Sequence, residues 1–153
     1  GVLIRYRAAT PADVPTMRAM LQALSDHDGG SYAVGSEASL LLHGFGPHPL
    51  FWAVMAETEA ALGMVIYYPD YSTHRGEPGV FVQDIYVSDA ARGMGVGRGL
   101  LGEMMRQRGW GAQYLTLGVS NDNGLATGFY ARMGFRKRGY EAMILDGKGL
   151  AAL

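Results

Sequence analysis

The stretch Ala91-Arg92-Gly93-Met94-Gly95-Val96-Gly97-Arg98-Gly99-Leu100-Leu101-Gly102 places five glycines in ten positions from Gly93, then runs into Leu100, Leu101, Met104 and Met105, which share a helical face. Each interior glycine costs a helix about 0.5–1 kcal/mol relative to alanine. So many at one helix start indicate that bare backbone is wanted there. Residues 80–87 immediately before it read as a strand, with Phe81, Ile85 and Val87 expected inward. A strand, a short turn and glycines at a first helical turn present N–H groups with no intrahelical acceptor, a ready site for an anion.

Two other phosphate-binding patterns fit less well. A P-loop needs Lys followed by Ser or Thr after its second glycine, and none is present. Gly97-Arg98-Gly99-Leu100-Leu101-Gly102 satisfies G-x-G-x-x-G, and Asp122 stands twenty residues on. A dinucleotide fingerprint, however, occupies the turn directly after its strand, whereas Gly97 lies ten residues beyond Val87. The segment therefore divides. Gly93 to Gly97 suit an anion, while Gly99 and Gly102 suit close packing of the helix, and a glycine-rich turn without ligand is the plain alternative.

Working outward, residues 3–8 alternate as a strand, and Thr10-Pro11-Ala12-Asp13 supplies a cap, a proline at the first helical position and an acid three residues after the cap. Val14, Met17, Leu21 and Leu24 then mark a helix that Asp28-Gly29-Gly30 ends. Residues 36–42 form a second short helix stopping at Gly44. Residues 50–56 and 61–68 read as a hairpin, residues 69–78 as a polar loop, and the glycine-rich helix stops at Gly109. A strand over 114–119 and a helix with Ala126, Phe129, Tyr130 and Met133 on one face follow, ending at Gly134. Residues 135–145 supply the last strand or two, and the chain frays from Gly147. The expected fold is α/β (α+β), one domain over residues 1–153, with a mixed central sheet of about six or seven strands flanked by helices.

Composition narrows the function. With 13 Lys+Arg against 14 Asp+Glu, the net charge of −1 provides no field for nucleic acid or an anionic membrane. No apolar run approaches the ~20 residues of a membrane span. The absence of cysteine excludes disulfides, thiolate metal sites and a Cys nucleophile, and no signal-peptide pattern opens the sequence, so a cytoplasmic protein is expected. His27, His43, His48 and His74 have no metal-ligand spacing, so no metal is expected.

Val87 through Gly97, between a strand and a helix, resembles the R/Q-x-x-G-x-G/A segment of the GNAT superfamily of acyl-CoA-dependent N-acyltransferases. Asn123-Gly124-Leu125-Ala126-Thr127-Gly128-Phe129-Tyr130-Ala131-Arg132-Met133-Gly134-Phe135 is similar to that family's N-x-x-A-x-x-F-Y-x-x-x-G-F pattern. The resemblance covers nearly the whole chain. Residues 67–73 and 81–87 look most like the diamine (spermidine/spermine) acetyltransferase branch. The resemblance implies acetyl-CoA as co-substrate, a small-molecule amine acceptor and a homodimer.

Acyl transfer from a thioester to an amine needs an oriented thioester, a neutral amine and a proton for the departing thiolate. The N–H groups of Gly93, Gly95, Val96, Gly97 and Arg98 are candidates for the CoA pyrophosphate, with Arg92 or Arg98 adding charge. The strand edge at Ile85, Tyr86 and Val87 is the candidate partner of the pantetheine arm, and must be left open. The family resemblance makes Tyr130 the acid, although its spacing alone reads as packing; Asn123 is a helix cap that also suits a cofactor contact. Where the diamine branch has Glu-Asp this chain has Gln83-Asp84, and Gln83 cannot accept a proton. Strand alternation is expected to send Gln83 and Asp84 to opposite faces. Asp84 is the candidate base or ammonium anchor, or else a structural acceptor. Tyr67, Tyr68 and Tyr71 are candidates to border an amine pocket, and His74 and Glu77 to line it. Direct transfer is expected, since neither a Cys nor a Ser-His-Asp set is available. A polyamine or a lysine-like amino acid is the expected acceptor; the alternatives are transfer to a protein amine, or an acyl-CoA sensor without turnover.

Overall fold

Strand β1 (Arg5–Ala8) is tied to the entry of helix α1 (Val14–His27) by one guanidinium. Arg7 donates to both carboxylate oxygens of Asp13 at 2.7 and 2.8 Å and to Glu57 Oε1 at 2.6 Å. The Thr10 N–H closes the capping box on Asp13 at 2.8 Å, so the Thr-Pro-Ala-Asp signal forms as read, through one short 3-10 turn over Pro11–Asp13. The Arg7 hydrogen bond holds the Asp13 carboxyl below the usual carboxylate range.

The structure is a computed structural model that describes residues 3–27, 33–108, 110–120 and 123–153. The helix stops expected at residues 28–30 and at Gly109, and the Asp122 position, lie outside the described residues. Two units are distinguished, Gly1–Gly118 and Val119–Leu153.

In the first unit, helix α2 (Glu37–Phe45) is capped by Ser36, whose hydroxyl accepts from the Ser39 N–H at 3.1 Å, and it runs past the expected stop at Gly44 to Gly46. Strands β2 (Trp52–Glu57), β3 (Ala61–Ser72) and β4 (Glu77–Val87) follow, then helix α3 (Val96–Arg108) and strand β5 (Leu115–Leu117). The sheet order is β1-β2-β3-β4-β5, antiparallel except for the β4–β5 pair. The polar segment 69–78, expected as a loop, instead extends both strands of the β3–β4 hairpin. Asp70, Tyr71 and Ser72 pair with Gly79, Pro78 and Glu77, leaving only residues 73–76 as the turn. Cross-strand pairing satisfies backbone groups whatever the side-chain polarity, so a two-stranded ribbon can project beyond the core.

The sheet buries both faces. Met17 and Met20 of α1 pack with Ala53, Met55, Met64 and Ile66, joined by Phe45 and Tyr86. The alternate residues Val54, Ala56, Val65 and Tyr67 face the other way and are buried, as are Val96, Leu100, Leu101 and Met104 of α3. Among the described helices none is long and apolar enough to cross a membrane.

The second unit contains helix α4 (Gly124–Arg132) and helix α5 (Gly147–Ala151), the latter where fraying was expected. Residues 135–145, expected to supply one or two strands, form none, so five strands are found among the described residues where six or seven were expected. Among the described residues of this unit no other strand is present to pair with them, and Met143 and Ile144 are 98% and 85% exposed. Apolar residues without a ladder partner do not make a strand.

Candidate active site

At the junction between β4 and α3 the backbone turns twice into the left-handed region. Gly93 and Gly95 adopt φ of 80° and 78°, a left-handed backbone that glycine accepts freely, and a Cβ on either would meet nothing within 4 Å. The space before the helix is therefore open. The first backbone bond of α3 runs from the Gly99 N–H to the Gly95 carbonyl at 3.0 Å, leaving the N–H groups of Val96, Gly97 and Arg98 ahead of the helical ladder. Arg92 pairs with Asp89 at 3.1 Å on the surface, an exposed ion pair that holds the guanidinium weakly, and Arg98 is exposed.

The two packing glycines differ. A Cβ on Gly99 would overlap the Tyr6 ring, with Cε1 at 2.8 Å and Cζ and Oη nearer, so this glycine lets α3 approach β1. A Cβ on Gly102 would meet only the Arg106 guanidinium, at 3.6 and 3.9 Å, so close packing does not explain that one.

Upstream, β4 pairs with β5 only at Val80, Phe81 and Val82. From Gln83 to Val87 it is bonded to β3 alone, so among the described residues the edge at Ile85, Tyr86 and Val87 carries no second strand. Its N–H and C=O groups on that side are available to an amide-bearing chain.

The β3–β4 ladder also contains a bulge. Ile66 opposes Asp84 and Tyr67 opposes Val82, so Gln83 is an extra residue in β4. Val82 and Ile85, three apart, both oppose residues of the α3-side face, Tyr67 and Val65. Asp84 opposes Ile66 on the α1 face, and Gln83 Oε1 accepts from the hydroxyl of Tyr68, which lies on that same face. The expectation that Gln83 and Asp84 diverge is thus corrected: the inserted residue resets the alternation, and both face the α1 side. The inward set changes with it. Val80 and Val82 are buried, while Phe81 is half-buried and stacks on Tyr68 with ring centroids 5.1 Å apart.

Asp84 is half-buried and makes no hydrogen bond or ion pair with the described residues; burial pushes its carboxyl up from the usual range. A desolvated carboxylate with no cation suits a ligand ammonium. Of the three tyrosines expected to border an amine pocket, only Tyr68 shares this face. Tyr67 is 1% exposed among the Trp52 and Trp110 rings on the opposite face, and Tyr71 alternates with Tyr68 and is 63% exposed. Glu77 is the first residue of β4 and is ion-paired with Arg75 at 2.7 Å. The sequence reading missed Asp70, whose Oδ2 accepts from Tyr114 Oη at 2.6 Å. Forty-four residues separate the two, and no local pattern signals the pair.

In the second unit, Asn123 caps α4 by accepting from the Ala126 N–H at 3.1 Å, as expected, and its side-chain NH2 is left to donate elsewhere. Tyr130 packs edge-to-face against Phe129 and Phe135, each with centroids 5.3 Å away, and burial raises its phenol above the ordinary value. Such a phenol keeps its proton at neutral pH and can donate it in a hydrogen bond. Among the described residues no group of three or more His, Asp or Glu could hold a metal.

The sequence profile of the acetyltransferase (GNAT) family matches residues 17–135, and the chain belongs to that family of acetyl-CoA-dependent N-acetyltransferases. It is 34% identical to the thialysine N-epsilon-acetyltransferase of Mus musculus over 61% of this chain, spanning 60% of that protein's length. The Sus scrofa protein of the same name is 27% identical over 98% of this chain and 96% of its own. The spermidine/spermine N(1)-acetyltransferase-like protein 1 of Homo sapiens is 29% identical over 63% of this chain and 15% of its own. A solved aminoglycoside N-acetyltransferase in complex with CoA has the same fold, with a TM-score of 0.73 at 19% identity over 97% of this chain and 96% of that one.

Proposed function

We propose that this enzyme transfers the acetyl group of acetyl-CoA directly to a primary amine of a small molecule, a polyamine or a lysine-like amino acid. The observation that carries the reading is the β4–α3 junction, where a strand edge with no second strand among the described residues leads into two left-handed glycines and the helix-start N–H groups that lie ahead of the α3 ladder. In this reading the N–H groups of Gly93, Gly95, Val96, Gly97 and Arg98 receive the pyrophosphate, Arg92 or Arg98 adds charge, and the edge at Ile85, Tyr86 and Val87 receives the pantetheine amides. Asn123 contributes a further cofactor contact.

The thioester supplies the acetyl group. Asp84 holds the substrate ammonium and accepts its proton, directly or through a water; an alkyl ammonium with a pKa of ~10.4 must lose that proton before it can attack. The amine nitrogen then forms a C–N bond as the C–S bond breaks, Tyr130 donates its phenol hydrogen to the departing thiolate, and the second proton, shed by the acetylated nitrogen, passes through water to restore the phenol. The relatives named for thialysine and for spermidine/spermine support an amine of this size.

The test is release of free CoA from acetyl-CoA in the presence of a panel of polyamines, amino acids and lysine-containing peptides. Steady release with a small amine is expected. Tight CoA binding without release from any acceptor would make the protein a sensor, and release only with peptides would make it a protein acetyltransferase.

A further inference from the structure

Two contacts from β3 fix how the end of β4 is aimed. Along the β2–β3 ladder Ala56 opposes Gly63 and Glu57 opposes Ala61, so Leu62 is an extra residue in β3. Gly63 beside it opposes Val87. A Cβ on Gly63 would overlap the Tyr86 carbonyl oxygen and stand 3.4 Å from both the Tyr86 carbonyl carbon and Val87 Cα. Those are backbone atoms, so no rotamer change relieves the overlap, and β4 itself would have to move. The bulged Leu62 supplies the second contact: its carbonyl accepts from the Ser88 N–H at 2.8 Å.

The two peptides flanking Val87 are thus both registered on β3. The Tyr86 carbonyl oxygen and the Ser88 N–H lie against it, and across a trans peptide the N–H and C=O point opposite ways. The N–H and C=O of Val87 therefore aim at the other side of β4, where no second strand lies among the described residues. We propose that Leu62 and Gly63 are positioning residues for the acyl-CoA arm, acting through Val87. The bare Gly63 admits the Tyr86 carbonyl and Leu62 holds the Ser88 N–H, so Val87 meets an amide of the arm with donor and acceptor already aligned. The proposal rests on the reading of this edge as the pantetheine partner, and names what sets its aim.

Calorimetric titration with CoA, which involves no turnover, reads that alignment. Gly63→Ala is expected to weaken CoA binding about tenfold, the size of one hydrogen bond, and to raise the KM for acetyl-CoA with the KM for the amine within about twofold. Ser88 has φ of −63°, which proline adopts, and its side chain makes no cap bond. Ser88→Pro therefore deletes the N–H that Leu62 holds and should weaken CoA similarly, while Ser88→Ala keeps that N–H and should bind as wild type. Gly44→Ala, whose methyl would overlap the Phe51 ring at 2.6 Å on α2, should lower Tm with CoA affinity within about twofold. Affinity within about twofold of wild type in Ser88→Pro, or in folded Gly63→Ala, overturns the positioning role. An equal loss in Ser88→Ala or Gly44→Ala overturns it too, and the Ser88 pair decides alone if Gly63→Ala does not fold. A wild-type protein that binds no CoA overturns the reading of the edge itself.

Discussion

Replacing Gly99 by alanine tests the division of the glycine-rich segment into an anion-binding half and a packing half. The added Cβ would sit 2.8 Å from Tyr6 Cε1 and nearer still to Cζ and Oη, and Tyr6 is held in β1 opposite Ala56. Forcing a methyl into such a contact costs about 1–3 kcal/mol, and removing a helical glycine returns about 0.5–1 kcal/mol. The expected net loss is about 1–2 kcal/mol, or roughly 2–8 °C in Tm for a chain of this size. Gly102→Ala on the same helix has only the Arg106 guanidinium at 3.6 Å to meet, so it should keep the propensity gain and raise Tm by roughly 1–4 °C. Thermal melts followed by circular dichroism, with urea melts checking for an unchanged slope, measure both variants under one set of conditions. In a Tyr6→Ala background the Gly99→Ala penalty should vanish, a coupling of about 1 kcal/mol or more. A Gly99→Ala protein at least as stable as wild type, or a penalty that persists without the Tyr6 ring, would refute the packing assignment.

Three further outcomes follow from the site. Tyr130→Phe is expected to lower kcat on the order of 10²-fold with acetyl-CoA affinity within about twofold, by steady-state kinetics and calorimetry; unchanged turnover would remove the acid role. Asp84→Asn should lower kcat/KM by on the order of 10²-fold yet raise the Tm of the ligand-free protein at pH 7. The sign follows from its raised carboxyl: the folded state holds that proton more tightly than the unfolded chain, so stability falls as pH rises above the ordinary value of 3.8, and Asn abolishes that fall. Full activity with an unaltered pH profile would show Asp84 to be neither base nor anchor. Gly95→Ala should weaken CoA binding about tenfold, because alanine resists φ of 78° by about 1–2 kcal/mol and its methyl enters the open space before the helix N–H groups; an unchanged Kd argues against the cradle.

Much of this site is legible because its signals are local. The glycines at Gly93 and Gly95 announce left-handed backbone before a helix start, and Thr10 with Asp13 announces a capping box; both form within a few residues of chain. The β3–β4 hairpin was legible as two strands but not in its length. Polar residues such as Asp70 and Ser72 join a ladder because of what lies across from them, and nothing in their own neighbourhood says so. The single bulged residue, Gln83, had the largest effect on the functional reading. Strict alternation assigns Gln83 and Asp84 to opposite faces, and one extra residue in β4 brings them to the same one.

The amino-acid sequence by itself determined the family, the glycine-marked helix start, the order of elements through β5, and Asp84, Tyr130 and Asn123 as the residues to watch. Each of those is written in residue type and spacing along one segment. Only the tertiary structure decided that β5 covers β4 no further than Val82, that Gly99 rather than Gly102 answers to a neighbouring ring, and that Tyr68, Gln83 and Asp84 share a face. Those outcomes depend on register between strands and on approach between a helix and a strand, quantities fixed by pairing partners distant in the chain.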